Sequence, residues 1–405
     1  MKTILATTYA VNPYKGSEDG MGWNFVMQIA RFNNVIAVTR ANNQDHIEKY
    51  IVEHPNEVYK NIQFIYFDLP YWMRFWKKGS RGAMLYYLMW QYGVVAFIKK
   101  QNLTFDITHN VNFHNDWTPS FLWKLKKPFV WGHVGHHPLI PSQYLASYSK
   151  KYWFKDRLTW LVKLYFWNFS FNLKRTKNKA SHIFCMNSSV PKVLGLKENY
   201  SISPSVASQD FGWNEHQETS NFTVISAGRF VPLKGFDLTI KSFAKMVRSL
   251  PYEDKLKCQL ILVGTGPEEH YLRSLTFKFN IDQQVKFISW IEREALMQKF
   301  KSASVFMFPS HEGAGMVVPE ALSFGLPVIC LDNVGPGEFI TEDCGYKIPQ
   351  NDHDTTIDNL SNALQDLYIN PEKLTKMRAE ARKRFIELFH WDRRGEQLDK
   401  IYARL

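Results

Sequence analysis

One stretch of the chain, residues 308–339, constrains the fold more than any other. It reads FPSHEGAGMVVPEALSFGLPVICLDNVGPGEF and follows an apolar run, Ala303 to Phe308, that predicts a buried strand. A loop of small residues comes next, and Pro319 suits the first turn of a helix. A strand, a glycine-bearing loop and a helix in this order are typical of a parallel α/β sheet. Such a loop lets an anionic ligand approach backbone N–H groups at the start of the helix.

Two carboxylates bracket this loop. Glu312 lies within it and Glu320 follows Pro319, with seven residues between the two glutamates. Because carboxylates accept hydrogen bonds from hydroxyl groups, the arrangement suits a ligand that is phosphate at one end and sugar at the other. The spacing alone leaves a second interpretation open, in which Glu320 only favours a helix N-terminus and Glu312 is a solvated loop charge.

Glu312, seven residues, Glu320 and the following LPVICLDNVGPGE resemble the donor signature of family 4 retaining glycosyltransferases (glycosyl transferases group 1). The resemblance implies an α/β protein with the GT-B fold, in which two Rossmann-like doubly wound domains face each other across a cleft. It implies that Glu312 contacts the donor sugar as a catalytic residue and that Glu320 accepts from the ribose. Backbone N–H groups of Gly315, Met316 and Val317 are implied to bind the donor diphosphate.

A second motif lies upstream, in FTVISAGRFVPLKGFDL. A predicted strand ends at Ala227, Arg229 follows it, and Lys234 stands five residues later. An arginine and a lysine at a strand end can converge on a diphosphate, the arginine as a bidentate donor and the lysine as a point charge. The pattern G-R-x4-K-G resembles the corresponding motif of the same family. Arg229 and Lys234 are therefore predicted donor-binding residues.

The first half of the chain begins with the same strand, loop and helix rhythm. Lys2 to Tyr9 predicts a strand, and the loop after it carries Gly16, Gly20 and Gly22. The loop lacks the third glycine of a dinucleotide fingerprint, since Phe25 stands there, which weakens the alternative of an NAD-dependent oxidoreductase. The loop also resembles the first loop of a subset of the same transferases. Gly16 is therefore a predicted donor-binding position, with a role in shaping a turn as the alternative.

Histidines follow the predicted strands of the first half. The resemblance implies that one histidine from this half contacts the donor sugar. His109 is the first candidate, because it shows the Asp-x-x-His spacing at a predicted strand end, and His114 is the second. A structural role is the alternative for each. His133, His136 and His137 are interpreted as acceptor-side or structural residues, and no metal site is predicted because no cysteine pair or helical HExxH accompanies them.

Length allows two domains. The family resemblance implies that residues 1–205 form an acceptor-binding Rossmann-like domain, on which a C-terminal helix at about 390–405 packs back, and that residues 218–388 form the donor-binding one. The polar stretch 203–220 is the predicted linker. Residues 1–205 hold 26 Lys and Arg against 11 Asp and Glu, whereas residues 206–405 hold 24 against 27. The first half should therefore meet an anionic partner.

A helical stretch from Tyr144 to Lys179 mixes tryptophan with lysine and arginine. This composition favours an anionic membrane surface, and a helix packed on its own domain with a solvated basic side is the alternative. Nucleic acid is not a predicted partner, since no recognised binding module accompanies the charge. The short apolar start predicts a strand rather than a signal peptide, and four scattered cysteines fit a reducing cytoplasm.

The family resemblance implies a retaining, metal-independent glycosyltransferase without a cofactor. It would move a sugar from a UDP- or GDP-sugar to a glycan or lipid-linked acceptor in cell-surface polysaccharide synthesis, such as that of lipopolysaccharide or capsule. Its predicted location is the cytoplasm, with peripheral attachment to the inner face of the membrane as an open alternative. The competing functions are a non-catalytic glycan- or membrane-binding protein and, on weaker grounds, an NAD-dependent oxidoreductase.

Overall fold

The computed structural model describes residues 1–79, 81–113, 115–213, 221–289 and 291–405. By their contacts, these residues divide into two units. Unit 1 comprises Met1–His136, Leu161–Ser205 and Trp391–Leu405, and unit 2 comprises His137–Trp160 and Val206–His390. Each unit is built on a parallel sheet.

The sheet of unit 1 has seven strands within the described residues. They are β1 Thr3–Thr7, β2 Asn34–Thr39, β3 Ile62–Tyr66, β4 Ile107–Asn110, β5 Phe129–Val134, β6 His182–Cys185 and β7 Tyr200–Ile202. Their order across the sheet is β3-β2-β1-β4-β5-β6-β7, with parallel pairing throughout. The central strands are buried along nearly their whole length, which explains why the sequence shows continuous apolar runs rather than alternation.

The sheet of unit 2 has six strands within the described residues. They are β8 Phe222–Ala227, β9 Cys258–Val263, β10 Val285–Ile288, β11 Val305–Phe308, β12 Val328–Leu331 and β13 Gly345–Ile348. Their order is β10-β9-β8-β11-β12-β13. In both sheets the strand order reverses beside the first strand, between β1 and β4 and between β8 and β11. This is the doubly wound arrangement of a Rossmann-like domain, so the predicted α/β fold class is confirmed.

The helices connect these strands. In chain order they are α1 Ser17–Ala30, α2 Gln44–Glu53, α3 Tyr71–Arg74, α4 Ala83–Lys100, α5 Ser142–Leu145, α6 Lys150–Phe169, α7 Phe171–Lys179, α8 Ser189–Leu194, α9 Phe236–Ser249, α10 Tyr252–Lys255, α11 Glu269–Lys278, α12 Arg293–Lys301, α13 Val317–Ser323, α14 Pro336–Phe339, α15 His353–Ile369, α16 Pro371–Arg384 and α17 Trp391–Arg404. Across the described ranges, none of them combines the length and hydropathy that crossing a bilayer requires.

Two segments belong to a unit that their position in the chain does not indicate. Helix α17 is part of unit 1, where Arg31 of α1 pairs with Asp392 at 2.5 Å. Residues 137–160 are part of unit 2, although the chain on either side of them belongs to unit 1. The side chains of Ile140, Tyr144 and Leu145 are buried in the apolar core of unit 2. Within the predicted linker, Ser205 and Val206 mark the passage between the units, and residues 214–220 lie outside the described residues.

Candidate functional site

The reversal of strand order in unit 2 lies between β8 and β11, which pair directly. In doubly wound folds, ligands bind beyond the carboxyl ends of the strands at such a reversal. Arg229 and Lys234 follow β8, and Glu312 follows β11. Both sequence motifs therefore converge on one edge of one sheet.

Lys234 and Glu312 meet at this edge. The Nζ atom of Lys234 lies 2.8 Å from Oε2 of Glu312, and both side chains are largely buried. The Lys234 ammonium also lies 5.0 Å from the ring centroid of Phe308, the last residue of β11. The structure thus brings together a cation and a carboxylate that are separated by 77 residues in the sequence.

Backbone contacts fix the geometry of this pair. The N–H of His311 and the hydroxyl of Ser310 both donate to the carbonyl of Leu233, at 2.9 and 3.1 Å. Gly235 has a φ of 67°, and a Cβ added there would lie 2.1 Å from the carbonyl oxygen of Pro309. Only glycine allows the two loops to approach this closely, so the glycine of the K-G motif places Lys234 beside the loop that carries Glu312.

A third loop supports the same region from β12. The amide of Asn333 donates to the carbonyl of Ser310 at 2.7 Å. A Cβ at Gly335 would lie 2.1 Å from the carbonyl oxygen of Glu312, so this glycine packs directly on the Glu312 backbone. This close approach leaves no room for a side chain, which explains why the first glycine of the DNVGPGE segment, Gly335, is a glycine.

Arg229 is exposed directly after β8. Burial and a hydrogen bond with Glu268 raise the pKa of the Tyr152 hydroxyl to about 12, whereas the nearby Arg229 guanidinium lowers it. Tyr152 belongs to the segment 137–160, so this segment reaches the neighbourhood of a predicted donor-binding residue within unit 2. An exposed guanidinium beside a strand end is free to turn toward an anionic ligand.

Gly315, Met316 and Val317 lie where the Glu312 loop enters α13. Gly315 is buried, and an added Cβ would come within 3.0 Å of the Phe308 ring. Met316 and Val317 are partly exposed, and Met316 has helical backbone angles. The three residues therefore occupy the position predicted for backbone donors, on the same loop as Glu312.

Glu320 stands in the first turn of α13 and is buried. Its Oε1 accepts a hydrogen bond from Arg293 at 2.7 Å. Burial raises the pKa of the Glu320 carboxyl, and the charge and hydrogen bond of Arg293 lower it in part. Arg293 was not predicted as a site residue, because nothing in the sequence around α12 links it to a helix 27 residues away.

His137 is a further site residue that the sequence placed elsewhere. Its Nδ1 atom accepts a hydrogen bond from the N–H of Gly313 at 3.1 Å, beside Glu312. The sequence interpretation assigned it to the acceptor side or to structure. The sequence around His137 gave no sign of this contact, which depends on the packing of residues 137–160 into unit 2.

His109 has a different environment from the one that its motif suggested. It is completely buried in β4 of unit 1. Nε2 lies 2.6 Å from the carbonyl oxygen of Gly132, so it carries the proton, and Nδ1 accepts from the Tyr402 hydroxyl at 2.5 Å. Burial lowers the pKa of His109 to about 4. Both ring nitrogens hold interior polar groups, so in this conformation His109 has a structural role and does not reach a ligand.

The structure says less about the roles of the other predicted site residues in the first half of the chain, His114 and Gly16. His114 lies outside the described residues. Gly16 precedes α1 with a φ of −86°, a conformation that any residue adopts, so the backbone does not require glycine there. In the first turn of α1, the Glu18 carboxylate accepts from the N–H of Phe113 at 3.3 Å, and burial raises its pKa to about 7. The sequence analysis did not single out Glu18.

Metal-ligating side chains do not cluster in the described part of the chain: no group of three or more His, Cys, Asp and Glu residues there could hold a metal ion. The sequence Asp-His-Asp at residues 352–354 has a role in helix capping instead of metal binding. Asp352 caps α15 by accepting from the N–H groups of Asp354 and Thr355. The ring of His353 lies 3.8 Å from a carboxylate oxygen of Asp237, on a different helix.

Comparison with known proteins supports the resemblance. The model of the family described as glycosyl transferases group 1 matches residues 209–384. A GDP-mannose-dependent monoacylated alpha-(1-6)-phosphatidylinositol monomannoside mannosyltransferase of Corynebacterium glutamicum is 30% identical over 181 residues, which are 43% of this chain and 45% of that protein. An uncharacterized glycosyltransferase of Haemophilus influenzae is 30% identical over 173 residues, 42% and 46% of the two chains. The chain thus spans about half the length of these relatives.

Solved structures share the fold across the whole chain. Sucrose-phosphate synthase from Thermosynechococcus elongatus has a TM-score of 0.67 at 18% identity and covers 100% of this chain and 99% of its own. Anabaena HepE in complex with UDP has a TM-score of 0.62 at 14% identity and covers both chains fully. Identities this low show the shared fold alone, and the GT-B prediction is confirmed at that level.

Proposed function

Because the model of the glycosyl transferases group 1 family matches residues 209–384, we propose that this protein transfers a glycosyl group from a nucleoside-diphosphate sugar to a glycan or lipid-linked acceptor. The observation that carries the proposal is the convergence of Lys234 and Glu312 at the strand-order reversal of unit 2, with Arg229 on the adjoining loop. A cation beside a carboxylate fits a ligand that joins a diphosphate to a sugar. The donor is a UDP- or GDP-sugar.

Lys234 and Arg229 act on the diphosphate. As the bond between the sugar and the phosphate breaks, negative charge grows on the leaving group, so cations at this place stabilise the transition state more than the bound donor. In the structure, Lys234 is neutralised by Glu312. Donor binding would exchange this carboxylate for phosphate oxygens and release Glu312 to accept from sugar hydroxyls. The backbone N–H groups of residues 315–317 add donors at the same loop.

Glu320 and Arg293 bind the nucleoside end of the donor. Glu320 must be ionised to accept two ribose hydroxyls, and Arg293 provides the positive charge that favours ionisation in a buried position. His137 accepts a hydrogen bond from the N–H of Gly313 and so positions the Glu312 loop. Each of these contacts lies within unit 2.

The reaction that we propose retains the anomeric configuration and needs no metal ion. The family resemblance supports both retention and independence from metal. In the proposed reaction, the acceptor attacks the face of the sugar from which the phosphate leaves, and that phosphate accepts the proton of the acceptor hydroxyl. An NMR assignment of the anomeric proton in the product tests retention. Unchanged turnover after dialysis against a chelator tests independence from metal.

The acceptor that we propose belongs to a cell-surface polysaccharide, such as lipopolysaccharide or capsule, and the enzyme works in the cytoplasm at the inner face of the membrane. The names of similar proteins support this class. The Corynebacterium glutamicum relative acts on a phosphatidylinositol mannoside, and another relative, 30% identical over 129 residues, is an O-antigen chain mannosyltransferase B of Escherichia coli. The excess of basic residues in the first half of the chain also favours an anionic partner.

Calorimetric titration with UDP, GDP and NAD, in buffer without metal, tests the proposal. Binding of UDP or GDP that is lost in Lys234→Ala and kept in Lys301→Ala, an exposed lysine at the end of α12, is the expected result. Binding of NAD alone would support the oxidoreductase alternative. A protein that binds none of the three and still binds glycans or vesicles would be a non-catalytic binding protein.

A further inference from the structure

Unit 1 exposes a surface on which aromatic rings alternate with basic side chains. Lys124 lies 4.5 Å from the ring centroid of Tyr92 in α4 and 5.6 Å from that of Trp123. Arg175 in α7 lies 5.6 Å from the same Trp123 ring and 4.5 Å from the ring of Phe171. These contacts join three separate parts of the chain into one continuous surface. We call these five residues the aromatic–basic surface.

Exposed apolar side chains continue from this surface along the end of α6. Tyr165 and Phe169 lie with their rings 5.8 Å apart, and Phe169 is two residues from Phe171. The exposed fractions are 61% for Tyr165, 75% for Phe169, 63% for Phe171 and 62% for Leu161. Single exposed apolar residues are ordinary, but a continuous group of large ones marks an interaction site.

The charge around this group has one sign. The three stretches that build it, residues 83–100, 117–127 and 161–179, hold ten Lys and Arg residues and no Asp or Glu. Lys126, Lys127 and Lys174 are exposed in addition to the cations that contact the rings. The partner of this surface must therefore accept large apolar side chains and also carry dense negative charge.

We propose that the aromatic–basic surface and the end of α6 dock on an anionic phospholipid bilayer. The rings enter the interface between headgroups and acyl chains, where aromatic side chains are stable, and the lysine and arginine side chains pair with the phosphates. Leucine and phenylalanine gain free energy in acyl chains. A nucleic acid offers stacking and phosphates but no apolar medium for Leu161, so the bilayer fits the composition better. The inference rests on the proposed function for its purpose, which is to bring the enzyme to a lipid-linked acceptor.

Vesicle co-sedimentation of the full chain tests the inference. The probes are phosphatidylcholine vesicles with and without phosphatidylglycerol, each at low and high salt. The test variant, Phe171→Ser/Arg175→Glu, removes one exposed ring and reverses one charge on the surface. The matched control, Phe277→Ser/Lys278→Glu on α11 of unit 2, makes the same changes at two other exposed positions. Melting temperature and nucleoside-diphosphate binding are measured for every protein.

We expect the wild-type protein to bind the anionic vesicles at low salt and to dissociate at high salt. The test variant should lose about tenfold or more in partitioning, since each basic group near the membrane contributes on the order of 1 kcal/mol and its reversal adds repulsion. The control should stay within about twofold of wild type. Absence of vesicle binding at low salt, an equal loss in the control, or binding of single-stranded RNA without binding of vesicles would overturn the inference. Vesicle binding without nucleoside-diphosphate binding would overturn the proposed function and leave this inference standing.

Discussion

The Lys234 ammonium lies 2.8 Å from a carboxylate oxygen of Glu312, across the point where the strand order of unit 2 reverses. Each residue neutralises the other. Under the proposed function, a diphosphate would have to displace Glu312 from Lys234 before it gains the full attraction of the cation. The displaced carboxylate would then be available for a sugar hydroxyl.

The two residues should therefore respond differently to substitution. Lys234→Ala removes a charge-assisted contact, so the affinity for UDP or GDP should fall by about tenfold or more and transfer should stop. Glu312→Gln removes a competitor for Lys234 and a charge that repels phosphate, so nucleoside-diphosphate affinity should rise while turnover falls. Calorimetry and a turnover assay measure the two effects separately. A Glu312→Gln enzyme with normal turnover would remove Glu312 from the catalytic residues.

Arg293 should control the pH range over which the nucleoside binds. Burial raises the pKa of Glu320, and Arg293 opposes the shift, so Arg293→Ala should raise this pKa further. As the pH falls, Glu320 becomes protonated and no longer accepts from ribose. The loss of nucleoside-diphosphate affinity should therefore begin at a higher pH in Arg293→Ala than in wild type or Arg293→Lys. The variant should also lose stability as the pH rises, because its unfolded chain releases the Glu320 proton at lower pH than the folded protein. Coinciding pH profiles of wild type and Arg293→Ala would contradict the assignment of Glu320 to the ribose.

His109 should matter for stability rather than for donor binding. His109→Phe leaves the Tyr402 hydroxyl and the Gly132 carbonyl without a buried partner, which costs about 1–3 kcal/mol for each group. The pKa of His109 is lowered to about 4, so the unfolded chain takes up its proton first and the folded wild type loses stability as the pH falls from 6.5 toward 4. The difference between wild type and His109→Phe should therefore shrink over this range. Denaturant unfolding measures it, and weaker nucleoside-diphosphate binding by the folded variant would argue for a direct role.

The sequence predicted the features that depend on local patterns. Strands such as Phe129–Val134 appear where the apolar run predicted them, because a strand buried on both faces must be apolar along its length. The positions of Arg229, Lys234 and Glu312 at one sheet edge followed from strand order, since each residue comes just after a strand. Loops at strand ends of a parallel sheet converge whatever the rest of the chain does.

The features that the sequence did not reveal depend on contacts between distant residues. His109 stands near a strand end as its motif predicted, but its Nδ1 atom accepts a hydrogen bond from the hydroxyl of Tyr402, 293 residues away. The Arg293–Glu320 pair and the contact of His137 with Gly313 are of the same kind. Periodicity assigns a residue to an element and a face, but it carries no signal for the particular side chain that packs opposite. Polar partners therefore became visible only in the folded chain.

The last prediction concerns residues 137–160 and the hydrogen bond by which Tyr148 holds this segment on unit 2. The Tyr148 hydroxyl donates to buried Asp237 at 2.6 Å, and Lys241 donates to the same carboxylate at 2.9 Å. Burial opposes ionisation of Asp237, but the hydrogen bonds from His353, Tyr148 and Lys241 and the Lys241 charge outweigh it and lower its pKa to about 2. Tyr148→Phe should therefore cost about 1.5–3 kcal/mol, the usual contribution of a hydrogen bond to a charged group.

This cost should be largest above the ordinary pKa of 3.8 for an aspartate and should fade as the pH drops toward 2, because protonated Asp237 no longer needs the same donors. If the segment opens locally, trypsin should cut faster after Lys150 and Lys151 in Tyr148→Phe than in wild type. Tyr165→Phe, which removes an exposed hydroxyl, is the control. Equal cleavage rates with lower overall stability would mean that the segment unfolds only with the whole of unit 2. Unchanged stability would show that Tyr148 does not hold the segment at all.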